Sequence, residues 1–573
     1  MLDVTFKNND LTVEVEAGTK LAECIRKAGL SIETPCNGMG KCGKCQVKVI
    51  GEVSNPSFEE EKFIIGKEGV RLACLARATG PVEIELLASQ NKLQSIDKQY
   101  FIDTEVNSEV KKVSLPIIDQ DSGRPYLEEL NYQLASIELY TKLGKLERDK
   151  ISDLTGILYN DEIIDLNQGD ILGLALDIGT TGLTVYLVDL ETGVILNKIS
   201  DLNPQTEFGG DVLSRISYCI NQETGAADLK DMTLTKINQI IDELVTDEYN
   251  KDNIYRLIVA GNTTMLHLFL GVNPASIARS PYRPIFLEKL DFKAKELGIK
   301  INKNAEVSLL PSVSGYVGAD IIAGVVATEF DSRKTPTIFI DIGTNGEIVV
   351  ISDDKMAATS TAAGPALEGM NIACGCRAEV GAIEAFSIDD NFNISYKTIA
   401  NKKAKGICGS GLIDITANLV NRKIILKNGR FNKNLNKKLK ARLRDKKFYI
   451  TEDIYISQKD IRQIQLAKGA IATGVKMLLE EIGISIVNVK EVIIAGSFGY
   501  HINPESIKEV GFIPEGFSGE ITFVGNSSAQ GARQALVNTN VLDKMVELRK
   551  KIMVLELSRK EDFQDYFIKE LNF

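Results

Sequence analysis

The chain is poor in the residues that several familiar kinds of active site require. It contains two histidines, His267 and His501, and no tryptophan in 573 residues. A histidine-based catalytic triad, a histidine-rich zinc site or a haem site is hard to build from two imidazoles. Nine cysteines are too few for a disulfide scaffold in a chain of this length. The remaining candidates for chemistry are carboxylates, hydroxyls, glycine-rich turns and a few thiols.

Charge and hydropathy exclude two further classes. Acidic side chains outnumber basic ones by 78 to 67, a net charge of −11, which disfavours a general nucleic-acid binder. Residues 422–447 hold twelve Lys or Arg and one acid, and we interpret this stretch as a solvated face. No apolar run approaches the ~18 residues that a membrane span needs, and the first residues do not resemble a signal peptide. We therefore expect a cytoplasmic protein that binds neither nucleic acid nor membranes.

Four cysteines near the start of the chain form a motif. Cys36, Cys42 and Cys45 share one glycine-rich loop, and Cys74 follows later, with the spacing C-x5-C-x2-C-x28-C. Three thiolates on such a loop with a distant fourth are typical of a 2Fe–2S cluster. The glycines let the loop curl tightly and direct N–H groups at the sulfurs. A structural zinc site is the alternative, but the first gap is long for zinc and the loop is unusually rich in glycine.

The surrounding residues predict a small domain. Strands are expected at Leu2–Phe6 and Leu11–Val15, and a helix capped by Thr19 is expected to run to about Ala28. Together with the cysteine motif, residues 1–90 resemble the plant-type and adrenodoxin-type ferredoxins. This resemblance implies a β-grasp fold and electron transfer.

Two glycine hairpins indicate an internal duplication further along the chain. The sequence Asp-Ile-Gly-Thr ends an apolar strand at residues 177–180 and again at 341–344. Each hairpin is followed by a second apolar strand that ends in Ala-Gly, at 260–261 and 495–496. One glycine hairpin alone is most often an ordinary tight turn, whereas the same order of elements twice indicates duplication. The wider spacing of the second pair predicts an insertion at about 377–455.

Glycine turns of this kind suit nucleotide phosphates. Glycine lets backbone amides approach phosphate oxygens, and neighbouring hydroxyls add donors. One aspartate in each turn, Asp177 or Asp341, can hold Mg²⁺ through water. His267 lies in an apolar run and is interpreted as a core residue, so we expect a carboxylate, Asp320 or Glu347, to activate water. The expected nucleotide contacts are Gly179, Thr180, Thr181, Gly343, Thr344, Asn345, Gly346, Gly409, Ser410 and Gly411, with Gly496, Ser497 and Phe498 at the adenosine.

The duplicated region resembles the acetate and sugar kinase, heat-shock chaperone and actin superfamily over about residues 171–535. The resemblance implies two ribonuclease-H-like lobes that close over ATP. The sequence lacks a Walker A lysine pattern and a strand-linked G-x-G-x-x-G, which disfavours P-loop and Rossmann folds. The predicted organisation is multidomain α/β. It comprises a ferredoxin-like domain (1–90), a linker (91–105), a small α+β middle domain (106–170) with a helix over Tyr126–Leu143, a first lobe (171–335) and a second lobe (336–573).

Taken together, the two modules resemble the ATP-dependent reductive activators of corrinoid proteins. Further stretches fit that family, among them Gly-Pro-Ala-Leu-Glu-Gly at 364–369. The resemblance implies ATP-dependent one-electron reduction of cobalt(II) to cobalt(I) in a corrinoid protein of a methyltransferase system, with the electron passing through the N-terminal cluster. It also implies an upstream low-potential donor and a homodimer. Neither histidine lies in the Asp-x-His-x-x-Gly motif of corrinoid carriers, so we expect the corrinoid on a partner.

Two alternatives remain open at this point. The chain could activate another low-potential enzyme of the 2-hydroxyacyl-CoA dehydratase type, in which Cys374, Cys376 and Cys408 would ligate a second cluster between subunits. It could also be a redox-sensing small-molecule kinase or a chaperone-like module. We interpret the three later cysteines as small buried residues beside the phosphate turns.

Overall fold

The computed structural model describes residues 1–7, 11–30, 32, 34, 38–40, 43–87, 102–115, 123–130, 132–148, 154–167, 169–353, 355–496 and 502–573. Cys36, Cys42, Ser497 and Phe498 lie outside these residues. Of the predicted linker 91–105, residues 91–101 also lie outside the described residues.

The N-terminal unit is a mixed sheet with helices packed on it. Its elements are β1 (Leu2–Phe6), β2 (Leu11–Val15), α1 (Leu21–Lys27), β3 (Gln46–Val53), α2 (Phe58–Ile64), β4 (Val70–Leu72) and β5 (Ala78–Leu86). The strand order is β2-β1-β5-β3-β4, with β1 antiparallel to β2 and parallel to β5. This is the predicted β-grasp topology, and both predicted strands are confirmed.

The predicted cap of the first helix is wrong. Helix α1 begins at Leu21, after Lys20, and no side chain caps it. The Thr19 hydroxyl instead donates to the Glu16 carbonyl oxygen at 2.7 Å, within the turn that precedes the helix. Threonine satisfies such a local turn as readily as a helix N-terminus.

A small α+β unit follows. Its elements are β6 (Val110–Ser114), α3 (Tyr126–Leu130), β7 (Gln133–Leu134), α4 (Ile137–Arg148), β8 (Thr155–Tyr159) and β9 (Glu162–Leu166). The strand order is β6-β8-β9-β7. The single helix predicted over Tyr126–Leu143 is therefore wrong. Strand β7 interrupts it because Leu134 pairs with Ile163 and is buried in this unit's core.

The first lobe is built on a sheet of order β12-β11-β10-β13-β15-β14. Its elements are β10 (Leu172–Ile178), β11 (Gly182–Asp189), β12 (Ile195–Leu202), α5 (Val212–Asn221), α6 (Gly225–Leu244), β13 (Ile254–Gly261), α7 (Thr263–Leu270), β14 (Leu290–Lys293), α8 (Ala294–Leu297), β15 (Glu306–Leu309) and α9 (Ala319–Ala327). Strand β10 is buried along its whole length.

The second lobe contains a sheet of order β26-β25-β16-β17-β18-β27 and two smaller sheets, β20-β19-β21 and β22-β23-β24. Its elements are β16 (Thr337–Ile342), β17 (Gly346–Ser352), β18 (Lys355–Thr361), β19 (Ala382–Ile388), β20 (Ile394–Thr398), β21 (Gly406–Ile407), α10 (Gly409–Asn421), α11 (Lys437–Lys440), β22 (Leu443–Arg444), β23 (Lys447–Tyr449), β24 (Tyr455–Ser457), α12 (Gln458–Ile482), β25 (Glu491–Ala495), α13 (Pro504–Val510), β26 (Glu520–Gly525), α14 (Ser527–Val537), α15 (Thr539–Lys551), β27 (Ile552–Val554) and α16 (Phe563–Glu570). The smaller sheets lie almost entirely within residues 377–455.

The two large sheets repeat one plan. In each, three antiparallel strands (β10–β12 and β16–β18) are followed by a strand that pairs parallel with the first, β13 with β10 and β25 with β16. The register is equivalent, since Asp177 lies opposite Ala260 and Asp341 opposite Ala495. The predicted duplication is therefore confirmed.

Helices α9 and α14 join the two halves. Helix α14 follows the last parallel strand of the second sheet, yet it packs on α9, β10 and β13 of the first lobe. Glycine allows the close contact: a Cβ on Gly531 would lie 2.2 Å from the Ala323 carbonyl oxygen. None of the helices in the described part of the chain is both long and apolar enough for a transmembrane span.

Candidate functional site

Cys45 and Cys74 meet at one end of the N-terminal sheet. Cys45 immediately precedes β3 and Cys74 follows β4, and the antiparallel register places Gln46 opposite Leu72. The Ala73 amide donates to the Cys45 carbonyl oxygen at 2.8 Å. Both cysteines are buried. Strand pairing thus brings together two residues that are 29 positions apart in the sequence.

The cysteine loop requires its glycines. Gly38, Gly40 and Gly43 have φ of +71°, +69° and +68°, a region that side chains disfavour. A Cβ on Gly40 would lie 2.5 Å from Leu75 Cδ1, and one on Gly43 would lie 2.3 Å from Phe63 Cδ1. The described part of the loop is therefore wrapped tightly onto the residues around Cys74. Cys45 and Cys74 are thus placed where they could share a 2Fe–2S cluster, and ligation by all four cysteines, with Cys36 and Cys42 outside the described residues, stays a prediction.

A buried ion pair supports this end of the sheet. The Arg71 guanidinium donates to both carboxylate oxygens of Glu60, at 2.8 and 2.9 Å, and the Leu72 amide donates to the same carboxylate at 2.8 Å. Because two-point pairing of this kind is strong and directional, it holds α2 against β4. The strand that leads into Cys74 is thereby fixed.

The four carboxylates predicted from the sequence lie close together, and we call this cluster, with the two glycine hairpins beside it, the cleft. Asp177 and Asp341 lie near the ends of the equivalent strands β10 and β16. Asp320 lies in the first turn of α9, and Glu347 lies opposite Asp341 on β17. Burial and the charge of Asp177 raise the pKa of Asp341 to about 7. Burial and the charges of Asp341 and Asp177 raise the pKa of Asp320 to about 8. The pKa of Glu347 is raised well above its ordinary value by burial and by Asp320 and Asp341.

Asp177 is held by the N-terminus of helix α14. The Ser528 hydroxyl donates to Asp177 Oδ1 at 2.7 Å, and the Asn526 amide donates to Oδ2 at 2.9 Å. Burial raises the pKa of Asp177, and these two hydrogen bonds lower it. Within the described ranges, no three acidic, cysteine or histidine side chains are close enough to ligate one metal ion. A cation at these carboxylates would therefore need water or nucleotide oxygens among its ligands.

The two glycine hairpins form matching turns beside these carboxylates. The Gly179 amide donates to the Gly182 carbonyl oxygen, and the Gly343 amide donates to that of Asn345, both at 2.9 Å. The first turn contains Thr180 and Thr181 and the second contains Thr344 and Asn345. In the second turn, a Cβ on Gly343 would lie 3.9 Å from the Asn345 carbonyl oxygen and 3.9 Å from Glu368 Oε1, which is ordinary van der Waals contact.

Glu368 joins the two turns, and sequence reasoning missed this role. Its carboxylate accepts a hydrogen bond from Thr181 Oγ1 at 2.5 Å and another from Thr344 Oγ1 at 2.8 Å. The signal available in the sequence was its position in the Gly-Pro-Ala-Leu-Glu-Gly stretch. That stretch does not indicate which residues the carboxylate contacts.

The role of Arg215 was also missed: its side chain hydrogen-bonds the backbone of the first turn. Its side chain is fully buried, and it donates to the Thr180 carbonyl oxygen, to that of Gly209 at 3.0 Å and to Gln205 Oε1 at 3.1 Å. Burial lowers the pKa of Arg215 to about 9, while Asp211 and Glu368 oppose the shift.

Four other predicted nucleotide contacts are buried. Gly409, Ser410 and Gly411 form the first turn of helix α10 and not a loop, and all three are buried. A Cβ on Gly411 would lie 2.1 Å from the Ile383 carbonyl oxygen, so this glycine permits close packing of α10 on β19. Gly346 faces helix α12, since a Cβ there would lie 2.9 Å from Ile471. Their contact with nucleotide stays a prediction.

Gly496 has a structural equivalent in the first lobe. Its φ is +121°, and a Cβ would lie 2.3 Å from the Ile342 carbonyl oxygen. Gly261 has φ of +156°, and a Cβ would lie 2.8 Å from the Ile178 carbonyl oxygen. Each glycine lets its strand pass close to the neighbouring hairpin.

The three later cysteines lie near one another. A Cβ on Gly406 would be 2.7 Å from Cys376 Sγ, and Cys408 Sγ lies 3.4 Å from Ser410 Oγ. Burial raises the pKa of Cys376 to about 12 and also raises that of Cys408. Cys374 and Cys376 are half-buried and Cys408 is buried, so the expectation of buried thiols is confirmed for Cys408 alone.

The fold and the two sites define a β-grasp iron–sulfur unit joined to an actin-like nucleotide-binding unit. Three family models match the chain. Residues 4–79 match the 2Fe-2S iron-sulfur cluster binding domain, residues 172–333 the RACo middle region, and residues 335–573 the C-terminal ASKHA domain of RACo.

Relatives match over most of the chain. The corrinoid activation enzyme RamQ of Eubacterium limosum is 31% identical over 568 residues, 93% of both chains. The [Co(II) methylated amine-specific corrinoid protein] reductase of Methanosarcina barkeri is 27% identical over 434 residues, 70% of this chain and 77% of that one. The solved structure of a reductive activator for corrinoid, iron-sulfur protein covers 100% of this chain and 98% of its own, with a TM-score of 0.74 and 32% identity. The chain therefore belongs to the RACo family of corrinoid activation enzymes.

Proposed function

We propose that the chain returns one electron to cobalt(II) in a partner corrinoid protein, giving cobalt(I), and couples this transfer to ATP. The observation that carries the proposal is that one chain contains two sites. One is a cysteine loop of the kind that binds a cluster, and the other is the cleft, where two glycine turns lie beside four carboxylates. When held by the four cysteines, a 2Fe–2S cluster supplies one electron near about −400 mV. The family resemblance implies a more reducing cobalt couple. Each ~59 mV by which the cluster is less reducing than the cobalt couple makes the equilibrium for electron transfer tenfold less favourable. We propose that ATP offsets this difference.

Different residues of the cleft would bind the phosphates, hold Mg²⁺ and accept a proton from water. The amides of the two turns and the hydroxyls of Thr180, Thr181 and Thr344 would bind the phosphates. Asp177 and Asp341 would hold Mg²⁺ through water. Asp320, which lies beside Asp177 and Asp341, or Glu347, which lies beside Asp320 and Asp341, would accept a proton from the attacking water.

The remaining parts of the proposal concern partners and organisation. The corrinoid arrives on the partner protein, and a low-potential donor reduces the N-terminal unit. The chain acts as a homodimer. Its domains are proposed at 1–90, 106–170, 171–335 and 336–573, with a linker at 91–105.

The experiment follows cobalt(I) formation by absorbance in a cobalt(II) corrinoid protein, with the chemically reduced holoprotein, with and without Mg-ATP. We expect catalytic reduction only with ATP. The Cys74→Ser variant should lose cobalt reduction and the cluster spectrum while still binding nucleotide. Equal catalytic reduction without ATP would contradict the coupling, and reduction by Cys74→Ser would contradict the electron path.

A further inference from the structure

The cysteine loop lies against both lobes of the ATPase unit. On the first lobe, Thr34 Oγ1 donates to the Glu207 carbonyl oxygen, and the Arg26 guanidinium lies 5.2 Å from the centre of the Phe208 ring. On the second lobe, Lys44 Nζ donates to the Gly375 carbonyl oxygen at 3.2 Å. Lys44 immediately precedes the cluster ligand Cys45, so this contact is made by the ligand loop itself.

A short, tightly packed path leads from the Lys44 contact to Glu368. A Cβ on Gly375 would lie 2.1 Å from the Gly369 carbonyl oxygen, and one on Gly369 would lie 2.2 Å from the Cys376 carbonyl oxygen. The two backbone segments are thus in direct contact. Because packed backbone cannot deform continuously, a shift at Glu368 is passed on to the carbonyl that Lys44 binds.

Glu368 uses the same hydroxyls that a bound phosphate would need. Its two oxygens accept hydrogen bonds from the hydroxyls of Thr181 and Thr344, one from each turn. A phosphate bound between the turns would compete for these donors and would repel the carboxylate at short range. The nucleotide and the present position of Glu368 are therefore incompatible.

We propose that Glu368 is a positioning residue that couples nucleotide occupancy to the docking of the cysteine loop. Without nucleotide, its carboxylate ties the two turns together and holds Gly369–Gly375 where Lys44 can bind. Phosphate displaces the carboxylate, the segment shifts, and the Lys44 contact is lost, which releases the cysteine loop for its partner. This inference rests on the proposed nucleotide site.

The test is amide hydrogen exchange on the holoprotein with and without a Mg-bound non-hydrolysable ATP analogue, with nucleotide affinity measured by calorimetry. In the wild type, we expect exchange in residues 369–376 and 43–46 to rise roughly tenfold with nucleotide, as expected when a charge-assisted hydrogen bond is lost. Glu368→Ala should show the faster exchange already without nucleotide. Adding the analogue should change the exchange of this variant little, and the variant should bind the analogue at least as tightly as the wild type does. Glu452→Ala, an exposed carboxylate on the same lobe, should behave like the wild type.

The outcomes separate the two proposals. A wild type that binds the analogue without a change in exchange overturns the coupling alone, as does a Glu368→Ala variant that responds like the wild type. A wild type that binds no nucleotide overturns both the coupling and the proposed function. If Glu368→Ala does not fold, Glu368→Gln keeps the size of the side chain without its charge and should show the same direction of change.

Discussion

At the scale of single residues, the candidate site contains four carboxylates, whereas the one histidine among the described residues lies in the core. The only described histidine, His267, is fully buried. One ring nitrogen bonds the Thr263 carbonyl oxygen at 2.7 Å, and the other accepts from the Ile285 amide at 3.0 Å. Its interpretation as a core residue is confirmed. Among the described residues, the candidates for acid–base chemistry beside the glycine turns are therefore carboxylates, and burial and neighbouring carboxylates raise the pKa values of Asp320, Asp341 and Glu347.

The raised pKa of Asp320 predicts how stability depends on pH. In the unfolded chain this group loses its proton near its ordinary pKa of 3.8, whereas in the folded, nucleotide-free chain it keeps the proton up to about 8. The folded state binds more protons between these values, so the free energy of unfolding falls as pH rises, by up to about 1.4 kcal/mol per pH unit for one proton. Asp320→Asn should give a shallower dependence between pH 5 and pH 8 in chemical denaturation.

The control for this prediction is Asp247→Asn, which removes an exposed carboxylate of the first lobe. It should keep the wild-type slope. A slope in Asp320→Asn as steep as that of the wild type would contradict the assignment of the retained proton to the cleft.

At the scale of elements, the contact between helices α9 and α14 connects the two halves of the ATPase unit. Asn526 caps α14 by accepting from the Ala529 amide at 2.9 Å, and its amide group reaches Asp177. On α9, a Cβ on Gly324 would lie 2.6 Å from Ser527 Oγ. The position of Asp177 in the cleft is thus tied to the packing of these two helices.

Gly531→Ala should weaken this connection. The added methyl would lie 2.2 Å from a backbone oxygen of α9, so the helices must separate, at a cost of about 1–3 kcal/mol. Calorimetry should show a lower unfolding midpoint for the ATPase unit. Gly144→Ala, in helix α4, meets nothing within 4 Å and should stabilise its own unit by about 0.5–1 kcal/mol. Equal midpoints for Gly531→Ala and the wild type would refute the close-packing argument.

At the scale of the whole molecule, we expect that nucleotide binding does not require the iron–sulfur cluster. A Mg-bound ATP analogue at about one hundred times its Kd should stabilise the ATPase unit by about 2.7 kcal/mol. Asp341→Asn should lose the part of this stabilisation that requires Mg²⁺, because it removes the carboxylate of the second turn. Cys74→Ser should retain all of it. Scanning calorimetry with and without Mg²⁺ measures these differences, and a Mg²⁺ effect that survives in Asp341→Asn would exclude this role for Asp341.

Several parts of the fold could be predicted because their signals are local. The strand pair β1–β2, the two glycine hairpins and their repetition follow from short patterns. The four carboxylates could also be predicted. Three of them lie at the hairpins, and Asp320 lies in the first turn of α9, the helix that precedes the second hairpin. Glu368 and Arg215 could not be predicted, because their roles depend on contacts across sequence separations of 187 and 35 residues.

The sequence by itself determined the two kinds of chemistry. Cysteine spacing and glycine turns are local properties, and they establish which ligands and donors are available. Only the tertiary structure decided which distant residues meet at the two sites. It places Glu368 between the turns and Lys44 against Gly375. Hydrogen bonds and charge repulsion act over a few ångströms, and folding alone brings these distant residues within that range.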